Sequence, residues 1–582
     1  MIVSFSEFVA NRLVTHGVDR NYTFLTGRPD DKAQQHSLTY SEIHVLASAI
    51  ARTLSREPGA SCPALMIYPE GLDFFVAFIA CLYSGIVAVP VPVPTDRNSI
   101  NRVSKILRDA NIKLILTTSA MREVVEHRLA EMCEISQLSI VETDVLNSLQ
   151  AGNWSPPVFA SDTIALIQYT SGSTSDPKGV AVSHGNLLHN QEVIKANISS
   201  DDKSVMVGWL PHFHDMGLIG MLLHPVYIGA NCVFMAPENF VKRPVRWLQA
   251  ITHFRGTITV APNFAYELCA RKLSQHEIDG LDLSSVRAAL NGAEPIRYET
   301  LRRFTEKFGT CGFNSEAFIP CYGMAESTLM VSGGHDGAGP VCCSVERASL
   351  EGHKIEIVDV DEGVRLVSSG RVSGESLTIV APDSLAKLGE RAVGEIWLRG
   401  PSIARGYWGQ LGDQVGPFNA TTSGGDGPFL RTGDLGFVSE ENLYVTGRLK
   451  DMLIVNGRNL YPQDIEDVVK DVHACLEACT GAAFMTDAQR QHLVVIQEVK
   501  LLDMKGQSCV ALAERIRTAV RKQFGIPVSE VLLVRRGRIP KTTSGKVQRT
   551  VTRQMFTAGA FDAFRLDRDP AISQINSLSV NP

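Results

Sequence analysis

The chain has 582 residues, of which 44% are hydrophobic and 20% are charged, an ordinary composition for a globular protein with more than one domain. Its formal net charge is -6 and no long run of Lys or Arg occurs, so no nucleic acid partner is expected. Residues 1–17 lack the basic start and unbroken apolar core of a secretory signal, and the 12 cysteines form no CxxC pair. We therefore expect a cytoplasmic protein without a zinc site.

One early stretch, residues 74–94, carries no charge over about the length that spans a bilayer. Gly85 and three prolines interrupt it. The local pattern predicts a buried helix over 74–84, a turn at Gly85 and a short buried strand over 86–89. This arrangement favours an α/β interior, so stable membrane insertion is not expected.

Helical patterns alternate with short apolar runs in the first part of the chain, which is typical of parallel βαβ units. The predicted strands cover residues 64–67, 113–117, 232–235 and 257–260. From about Gly370 the sequence pattern changes to short strands with glycine turns. This pattern is typical of an antiparallel or barrel-like subdomain, which we expect to end near Arg448. The fold class is therefore α/β, with parallel-sheet subdomains and a β-barrel-like subdomain in a large N-terminal domain, residues 1–448.

The remaining residues, 449–582, contain enough pattern for a small α+β domain. Residues 465–470 and 511–523 are predicted as helices, and residues 493–499 and 531–534 as strands. We expect this C-terminal domain to be mobile relative to the large one.

The segment that follows the apolar run 164–167 has the pattern of a phosphate-binding loop. It contains Thr170, Ser171, Gly172, Ser173, Thr174 and Lys178. Backbone N–H groups and hydroxyls in such a loop can converge on phosphate oxygens, and the lysine adds positive charge. The loop is not a Walker A motif, because Gly179 stands where Ser or Thr would hold magnesium. A flexible surface loop rich in Ser and Gly is the alternative.

Five further motifs follow this loop. They are Asn291-Gly-Ala-Glu-Pro295, Tyr322-Gly-Met-Ala-Glu-Ser327, Arg431-Thr-Gly-Asp434, Gly447-Arg-Leu-Lys-Asp451 and Pro540-Lys-Thr-Thr-Ser-Gly-Lys546. Together with the loop, and in this order, they resemble the motifs of the adenylate-forming (ANL) superfamily, which includes acyl-CoA synthetases, luciferases and peptide-synthetase adenylation domains. The resemblance covers residues 169–546 and implies ATP and Mg²⁺ as cofactors.

The resemblance also implies roles for single residues. The residues implied in catalysis are Lys546, Glu326 and His214, those implied in magnesium binding are Glu326 and Thr174, and the implied hinge is Lys450. The residues implied in nucleotide binding are the loop residues above and Asn291, Gly292, Ala293, Glu294, Tyr322, Gly323, Met324, Asp434 and Arg448. These roles make chemical sense, because attack of a carboxylate on the α-phosphate brings two anions together and requires cations. Each also has a simpler alternative: Lys546 as a solvated surface lysine, Glu326 as a buried acid paired with arginine, and Asp434 as a turn-stabilising residue.

A His-x-His-Asp cluster, His212 to Asp215, follows a tryptophan and a proline. It suggests a metal, but no further ligands are recognisable nearby. In fatty-acid-activating relatives, the histidine that matches His214 borders the carboxylate pocket. The apolar run 218–228 after it is either a core helix or the wall of a tunnel for an alkyl chain.

Several strings resemble the fatty-acyl-AMP ligase branch in particular. They cover residues 88–94, 209–217, 261–268 and 406–408. Residues 341–366, with a β-like stretch at 354–360, lie where those ligases carry an insertion that is held to restrain the small domain and disfavour CoA. Residues 259–261 and 372–391 depart from the usual family text.

The implied reaction converts a fatty acid and ATP into acyl-adenylate and pyrophosphate, then transfers the acyl group to the phosphopantetheine thiol of an acyl carrier protein. Because only 36 residues follow Lys546 (582 minus 546), we expect the carrier to act in trans. A fatty acyl-CoA synthetase is the nearest alternative. An amino-acid adenylation domain and a non-catalytic binding module are more distant ones.

Overall fold

The computed structural model describes residues 4–57, 59, 62–130, 138–146, 156–170, 177–334, 337–359, 362–372, 374–412, 416–455, 458–477, 479–486, 492–504, 507–542 and 545–566. Two large sheets dominate the first part of the chain. Their apolar strands are buried along their length, as expected for strands covered on both faces.

A six-stranded sheet and an eight-stranded sheet carry most of the strands. The six-stranded sheet has the order Ser139–Glu142, Leu114–Thr117, Ala64–Ile67, Ala88–Val91, Ile164–Thr170 and Lys178–Ser183, and only the last pair is antiparallel. The eight-stranded sheet has the order Met330–Gly333, Phe318–Gly323, Ala288–Gly292, Ile258–Pro262, Val205–Gly208, Asn231–Met235, Asn21–Leu25 and Gln35–Thr39, and is antiparallel only at its two outer pairs.

Helices connect the strands of these sheets. They span Phe5–Thr15, Tyr40–Leu54, Leu72–Ser84, Arg97–Asp109, Ser119–Ala130, His184–Ile198, His224–Ile228, Pro237–Lys242, Val245–Phe254, Asn263–Lys272, Gln275–Ile278 and Tyr298–Phe308. The predicted α/β fold class with parallel sheets is confirmed.

The uncharged stretch 74–94 folds as expected. It forms the buried helix Leu72–Ser84, the left-handed residue Gly85 (φ 76°) and the strand Ala88–Val91, which begins two residues later than predicted. No helix in the described part of the chain is both long and apolar enough to cross a bilayer. The run 218–228 is a buried π-helical segment, Met216–Leu223, followed by the helix His224–Ile228.

The region after the eight-stranded sheet is antiparallel, as predicted. Its four strands are Leu377–Val380, Gly394–Leu398, Leu430–Ser439 and Asn442–Arg448. The inserted residues form a hairpin, Cys342–Val345 with Val364–Val367, around the short helix Arg347–Glu351.

The β-like stretch expected at 354–360 is wrong over the residues that the structure describes, 354–359. These make only isolated bridges, from Lys354 to Ala392 and from Ile357 to Val345. Because Lys354 bridges to Ala392 and Ile357 bridges to Val345, the segment does not pair along one partner.

The last part of the chain has a three-stranded sheet and a hydrophobic core of its own. Its strands are Gly481–Met485, Leu493–Val499 and Glu530–Arg535, its short hairpin pairs Leu453–Val455 with Arg458–Leu460, and its helices are Pro462–Lys470, Ala474–Glu477, Cys509–Phe524 and Arg549–Thr557. Ser508 caps the helix Cys509–Phe524 and Gly525 (φ 71°) ends it. The division at residue 448 stays a prediction.

Candidate active site

A cavity of about 1240 Å³ lies beside the carboxyl ends of the parallel strands in the eight-stranded sheet. Ligands in open α/β sheets bind outside these strand ends. The strand Phe318–Gly323 ends at the Tyr322 motif and Ala288–Gly292 at the Asn291 motif, so topology brings together motifs that are distant in sequence.

Asp434 is the centre of a hydrogen-bonded cluster in the cavity wall. Its side chain is buried, and its Oδ2 accepts from the Tyr322 hydroxyl at 2.8 Å. Its Oδ1 accepts from Arg448 Nε at 2.9 Å, and the two residues face each other on neighbouring strands. The neighbouring carboxylate of Asp434 raises the pKa of Arg448, against the effect of burial. The cluster fixes the direction of the Asp434 carboxylate.

Lys546 lines the same cavity from a turn near the end of the chain. The Thr542 N–H donates to the Lys546 carbonyl at 2.8 Å and closes this turn. Lys546 is exposed to the open cavity. Desolvation by the cavity walls and the Arg448 cation nevertheless lower its pKa, against the carboxylates of Asp215, Asp434 and Glu294. The ammonium group therefore lies within electrostatic range of residues from four other segments of the site.

Glu326 lines the cavity and is hydrogen-bonded to Tyr407, which lies behind it. The Tyr407 hydroxyl donates to Glu326 Oε1 at 2.9 Å, and Lys178 Nζ lies 4.8 Å from the centre of the Tyr407 ring. Burial raises the pKa of Glu326, although the Tyr407 hydrogen bond and Arg448 oppose it. A cation near Glu326 would compensate for this desolvation.

His214 and Asp215 form a pair on the cavity wall. His214 Nδ1 lies 2.7 Å from Asp215 Oδ1, and the Met216 N–H donates to the same oxygen at 2.7 Å. Burial acts to raise the pKa of Asp215, but His214, the Met216 N–H and Lys546 outweigh it, so the pKa is lowered. The Met216 N–H also lies 3.4 Å from His214 Nδ1. In the tautomer whose Nδ1–H is directed to Asp215, the His214 Nε2 can accept a hydrogen bond or contact a substrate.

His212, in contrast, is a core residue. Its ring stacks on Phe74 at 3.9 Å and its Nδ1 lies 2.7 Å from Glu70 Oε2. Within the described ranges, no group of three His, Cys, Asp or Glu side chains is placed to hold a metal ion. The geometry thus gives no support to a metal site at the His-x-His-Asp cluster.

The backbone is tightly packed at two of the predicted nucleotide-binding motifs, those of Asn291 and Tyr322. A Cβ at Gly292 would lie 2.7 Å from Cys321 Sγ, and one at Gly323 would lie 2.0 Å from the Leu329 carbonyl, so neither position tolerates a side chain. Ala293 adopts a left-handed conformation (φ 67°), and Glu294 accepts from the Phe264 N–H at 2.5 Å. Burial raises the pKa of Glu294.

Only the two ends of the predicted phosphate loop can be placed. Ser171, Gly172, Ser173 and Thr174 lie outside the described residues, whereas Thr170 lines the cavity. An arginine that the motifs did not indicate, Arg102, donates to the Thr170 carbonyl at 3.0 Å and lines the cavity too.

Most of the predicted residues that can be placed share this cavity. They are Thr170, His214, Ala293, Glu294, Tyr322, Gly323, Met324, Glu326, Asp434, Arg448 and Lys546. Lys178, Asn291, Gly292 and Lys450 are not among its lining residues: Lys178 stacks on Tyr407, Asn291 is fully buried and Lys450 is exposed. Sequence reasoning missed Arg102, Tyr407 and Asp215 as site residues, although Asp215 stands in the His-x-His-Asp cluster and Tyr407 in the string 406–408.

A set of apolar side chains also lines the cavity. Its lining residues include Ile194, Ile198, Met206, Val260, Leu290 and Met330. Such a lining suits an alkyl chain, which gains about 0.8 kcal/mol for each methylene removed from water.

Comparisons with known proteins show the family to which this chain belongs. Residues 18–408 match the family model described as AMP-binding enzyme, and residues 450–565 match the one described as Disco-interacting protein 2-like, AMP domain. The chain is 39% identical over 552 residues to the medium-chain-fatty-acid–[acyl-carrier-protein] ligase JamA of Moorena producens, with 93% of each chain covered. It is 35% identical over 566 residues to FadD21 of Mycobacterium tuberculosis, which is named for fatty-acid–CoA ligation, with 94% of this chain and 96% of that one covered.

A solved structure from a study of fatty acyl-adenylate ligases from E. coli and L. pneumophila superposes with a TM-score of 0.84 at 30% identity, covering 97% of this chain and 99% of that chain. Both the sequence and the fold therefore match along almost the whole chain. The chain belongs to the AMP-binding enzymes of the adenylate-forming superfamily, and its likeness to fatty-acyl-AMP ligases confirms the branch that the motifs predicted.

Proposed function

We propose that this chain activates a fatty acid with ATP as its acyl-adenylate, releases pyrophosphate, and transfers the acyl group to the phosphopantetheine thiol of an acyl carrier protein. One observation carries the proposal. Lys546, the Asp434–Arg448 pair and His214 converge on one cavity that a set of apolar side chains also lines, which suits a reaction between a nucleotide and an alkyl carboxylate.

The nucleotide is proposed to be held by the Asp434 cluster and the Tyr322 motif. Asp434 can accept hydrogen bonds from the ribose hydroxyls, because Tyr322 and Arg448 occupy only part of its lone pairs. The Tyr322 and Met324 side chains lie on the same wall and offer a surface for adenine. Thr170 and the loop after it would face the phosphates.

In the first step, a carboxylate oxygen of the fatty acid attacks the α-phosphorus, and the bond from that phosphorus to the bridging oxygen of pyrophosphate breaks. Negative charge accumulates on the α-phosphate oxygens during this exchange. Lys546 stands where it can compensate this charge. His214, oriented by Asp215, would contact the carboxylate.

Mg²⁺ is also part of the proposal. Proteins commonly hold it through one or two carboxylates together with substrate phosphates, so Glu326, with its costly desolvation, fits as its protein ligand. When bound, the ion would neutralise phosphate charge. Thr174, the second predicted ligand, lies outside the described residues.

The acceptor thiol separates the two candidate functions. JamA is named for an acyl carrier protein and FadD21 for CoA, so the names of the relatives point both ways. The inserted hairpin favours the carrier protein, because it is bonded to the part of the chain after residue 448. Arg458 pairs with the buried Glu351 at 2.7 Å, and Asn459 donates to the Glu351 carbonyl at 2.9 Å. These contacts suit the restraint that the insertion resemblance implies.

The test is mass spectrometry of the products formed from ATP, Mg²⁺ and a ladder of fatty acids, with CoA or with a phosphopantetheinylated carrier protein. The proposal expects acyl-adenylate in all reactions and acyl-carrier protein as the main transfer product. Acyl-CoA as the main product would favour the synthetase, and the absence of acyl-adenylate with every acid would contradict the proposal.

A further inference from the structure

Lys546 reaches the cavity from the part of the chain after residue 448, whereas Asp434 and Asp215 belong to the part before it. The contacts that join these two parts therefore decide where the Lys546 ammonium group lies. The following inference rests on the role proposed for Lys546, and it concerns the residue that sets its position.

Arg297 is firmly held by the large part of the chain. It is the N-cap of the helix Tyr298–Phe308, and its backbone N–H donates to Asn263 Oδ1 at 3.2 Å. Its guanidinium forms an ion pair with Asp467, which lies on the helix Pro462–Lys470 beyond residue 448. Both side chains are partly buried, so solvent screens this pair less than a pair on the surface.

The helix that Arg297 contacts is in turn coupled to the lysine turn. Glu466, the neighbour of Asp467, is buried and accepts two hydrogen bonds of 2.7 Å from the guanidinium of Arg549. Arg549 also donates to Asp451 at 3.3 Å. Because Arg549 follows Lys546 by three residues, a displacement of this helix displaces the turn that carries Lys546.

Two hydrogen bonds brace the described residues of the turn. The Gln548 N–H donates to the Pro540 carbonyl at 3.0 Å, and the Lys546 N–H donates to the Thr542 hydroxyl at 3.1 Å. The ion pair of Arg297 therefore connects the cavity wall, through the helix and Arg549, to the residues on both sides of Lys546.

Among the residues that the structure describes, two other ion pairs span the same two parts, but neither is bonded to the turn of Lys546. Arg271 pairs with Glu477 at 3.2 Å in an exposed position, where such pairs contribute little. Glu351 pairs with Arg458 at 2.7 Å on the side of the inserted hairpin. These two pairs still join the two parts of the chain when Arg297 is replaced, so a complete loss of activity is not expected.

We infer that Arg297 is a positioning residue for adenylate formation, which acts through Asp467, Glu466 and Arg549 to hold Lys546 at the phosphate side of the cavity. Arg297 and Asp467 themselves line the cavity, and in this scheme Arg297 acts through Asp467 and contacts neither the nucleotide nor the acid. The prediction is a lower rate of the first half-reaction when the pair is broken, without a matching loss of ATP binding.

The experiment compares the full-length wild type with Arg297→Gln, Asp467→Asn, the double variant and the conservative Arg297→Lys. Arg302→Gln is the matched control, because Arg302 lies on the same helix and its ion pairs in the described structure are to Glu299 and Glu306 on the surface. We measure kcat and the KM for ATP by pyrophosphate–ATP exchange, the melting temperature, and the rate of tryptic cleavage after Lys546.

Each neutral single variant should lose about tenfold in kcat, with the KM for ATP changed by less than about threefold, and the double variant should lose no more than either single one. Tryptic cleavage after Lys546 should accelerate in the same variants, and Arg297→Lys should keep most of the rate. Melting temperatures and the Arg302→Gln variant should match the wild type.

Wild-type exchange and wild-type cleavage in Arg297→Gln would overturn the inference, and so would losses that multiply in the double variant. If the wild type itself showed no exchange, the proposed function would fail, while the cleavage rates would still test the positioning. An active wild type together with an unaffected Arg297→Gln variant would contradict the inference about Arg297 and leave the proposed function standing.

Discussion

Replacement of Asp434 by asparagine tests the nucleotide side of the site, because it keeps the shape of the side chain and removes its charge. Asp434 is 7% exposed and accepts from Tyr322 at 2.8 Å and from Arg448 at 2.9 Å. Asparagine can still accept one of these hydrogen bonds through its carbonyl oxygen. The variant should therefore fold, and its main defect should be in binding.

The size of the effect follows from the difference between charged and neutral hydrogen bonds. A bond to a charged group contributes about 1.5–3 kcal/mol and a neutral one about 0.5–1.5 kcal/mol, so one ribose contact should weaken by about 1.4 kcal/mol. That difference corresponds to an increase of about tenfold in the KM for ATP. The KM for the fatty acid should change little, because Asp434 belongs to the nucleotide end of the cavity.

The assay is pyrophosphate–ATP exchange at varied ATP and at varied fatty acid. Asp426→Asn is the control, because Asp426 carries an ion pair with Arg399 at 3.1 Å on the surface of the same antiparallel sheet region. A KM for ATP within twofold of the wild type in Asp434→Asn would refute the assignment of Asp434 to ribose.

Three further predictions concern magnesium, pH and chain length. Glu326→Gln should raise the Mg²⁺ concentration needed for half-maximal exchange by about tenfold, because a charged ligand becomes neutral; an unchanged Mg²⁺ dependence would contradict the role of Glu326. Burial raises the pKa of Asp464 from 3.8 to about 6 in the folded protein, so the fold loses stability as the pH rises from about 4 to about 6, where the unfolded chain ionises before the folded one; Asp464→Asn should gain up to about 3 kcal/mol in stability at pH 8 and almost none near pH 3, and an equal melting-temperature change at pH 3 and pH 8 would oppose this. Ile198→Phe fills part of the apolar wall and should shift the best substrate to a shorter acid, at about 0.8 kcal/mol for each excluded methylene, measured with a ladder of fatty acids; an unchanged chain-length profile would place the alkyl chain elsewhere.

The sequence predicted the parallel sheets well because their strands are short apolar runs that are buried on both faces. The strand Ala64–Ile67 begins and ends where its apolar run does, and Gly85 ends the helix before it meets the next strand. The stretch 354–359 misled the same reasoning, since its alternating residues bridge two different partners and no single strand runs beside it. Local periodicity does not report which partner a segment meets.

Motif residues at strand ends were predictable for a related reason. Glycines such as Gly292 and Gly323 stand where backbone or side-chain atoms approach too closely for a Cβ. Tyr407 and Arg102 were missed because their roles come only from distant partners: Tyr407 meets Glu326, and Arg102 meets the Thr170 carbonyl. Tyr407 stands in the string 406–408 that resembles the ligase branch, but that string does not indicate its contact with Glu326, and Arg102 stands in no such string.

The central claim is that Lys546 supplies the positive charge that adenylate formation requires. Exchange of labelled pyrophosphate into ATP by Lys546→Ala, with the fatty acid present, tests it most directly. The account predicts a loss of at least about 10²-fold in rate, on the scale of removing one preorganised donor, with the melting temperature unchanged. An exchange rate equal to that of the wild type would contradict it.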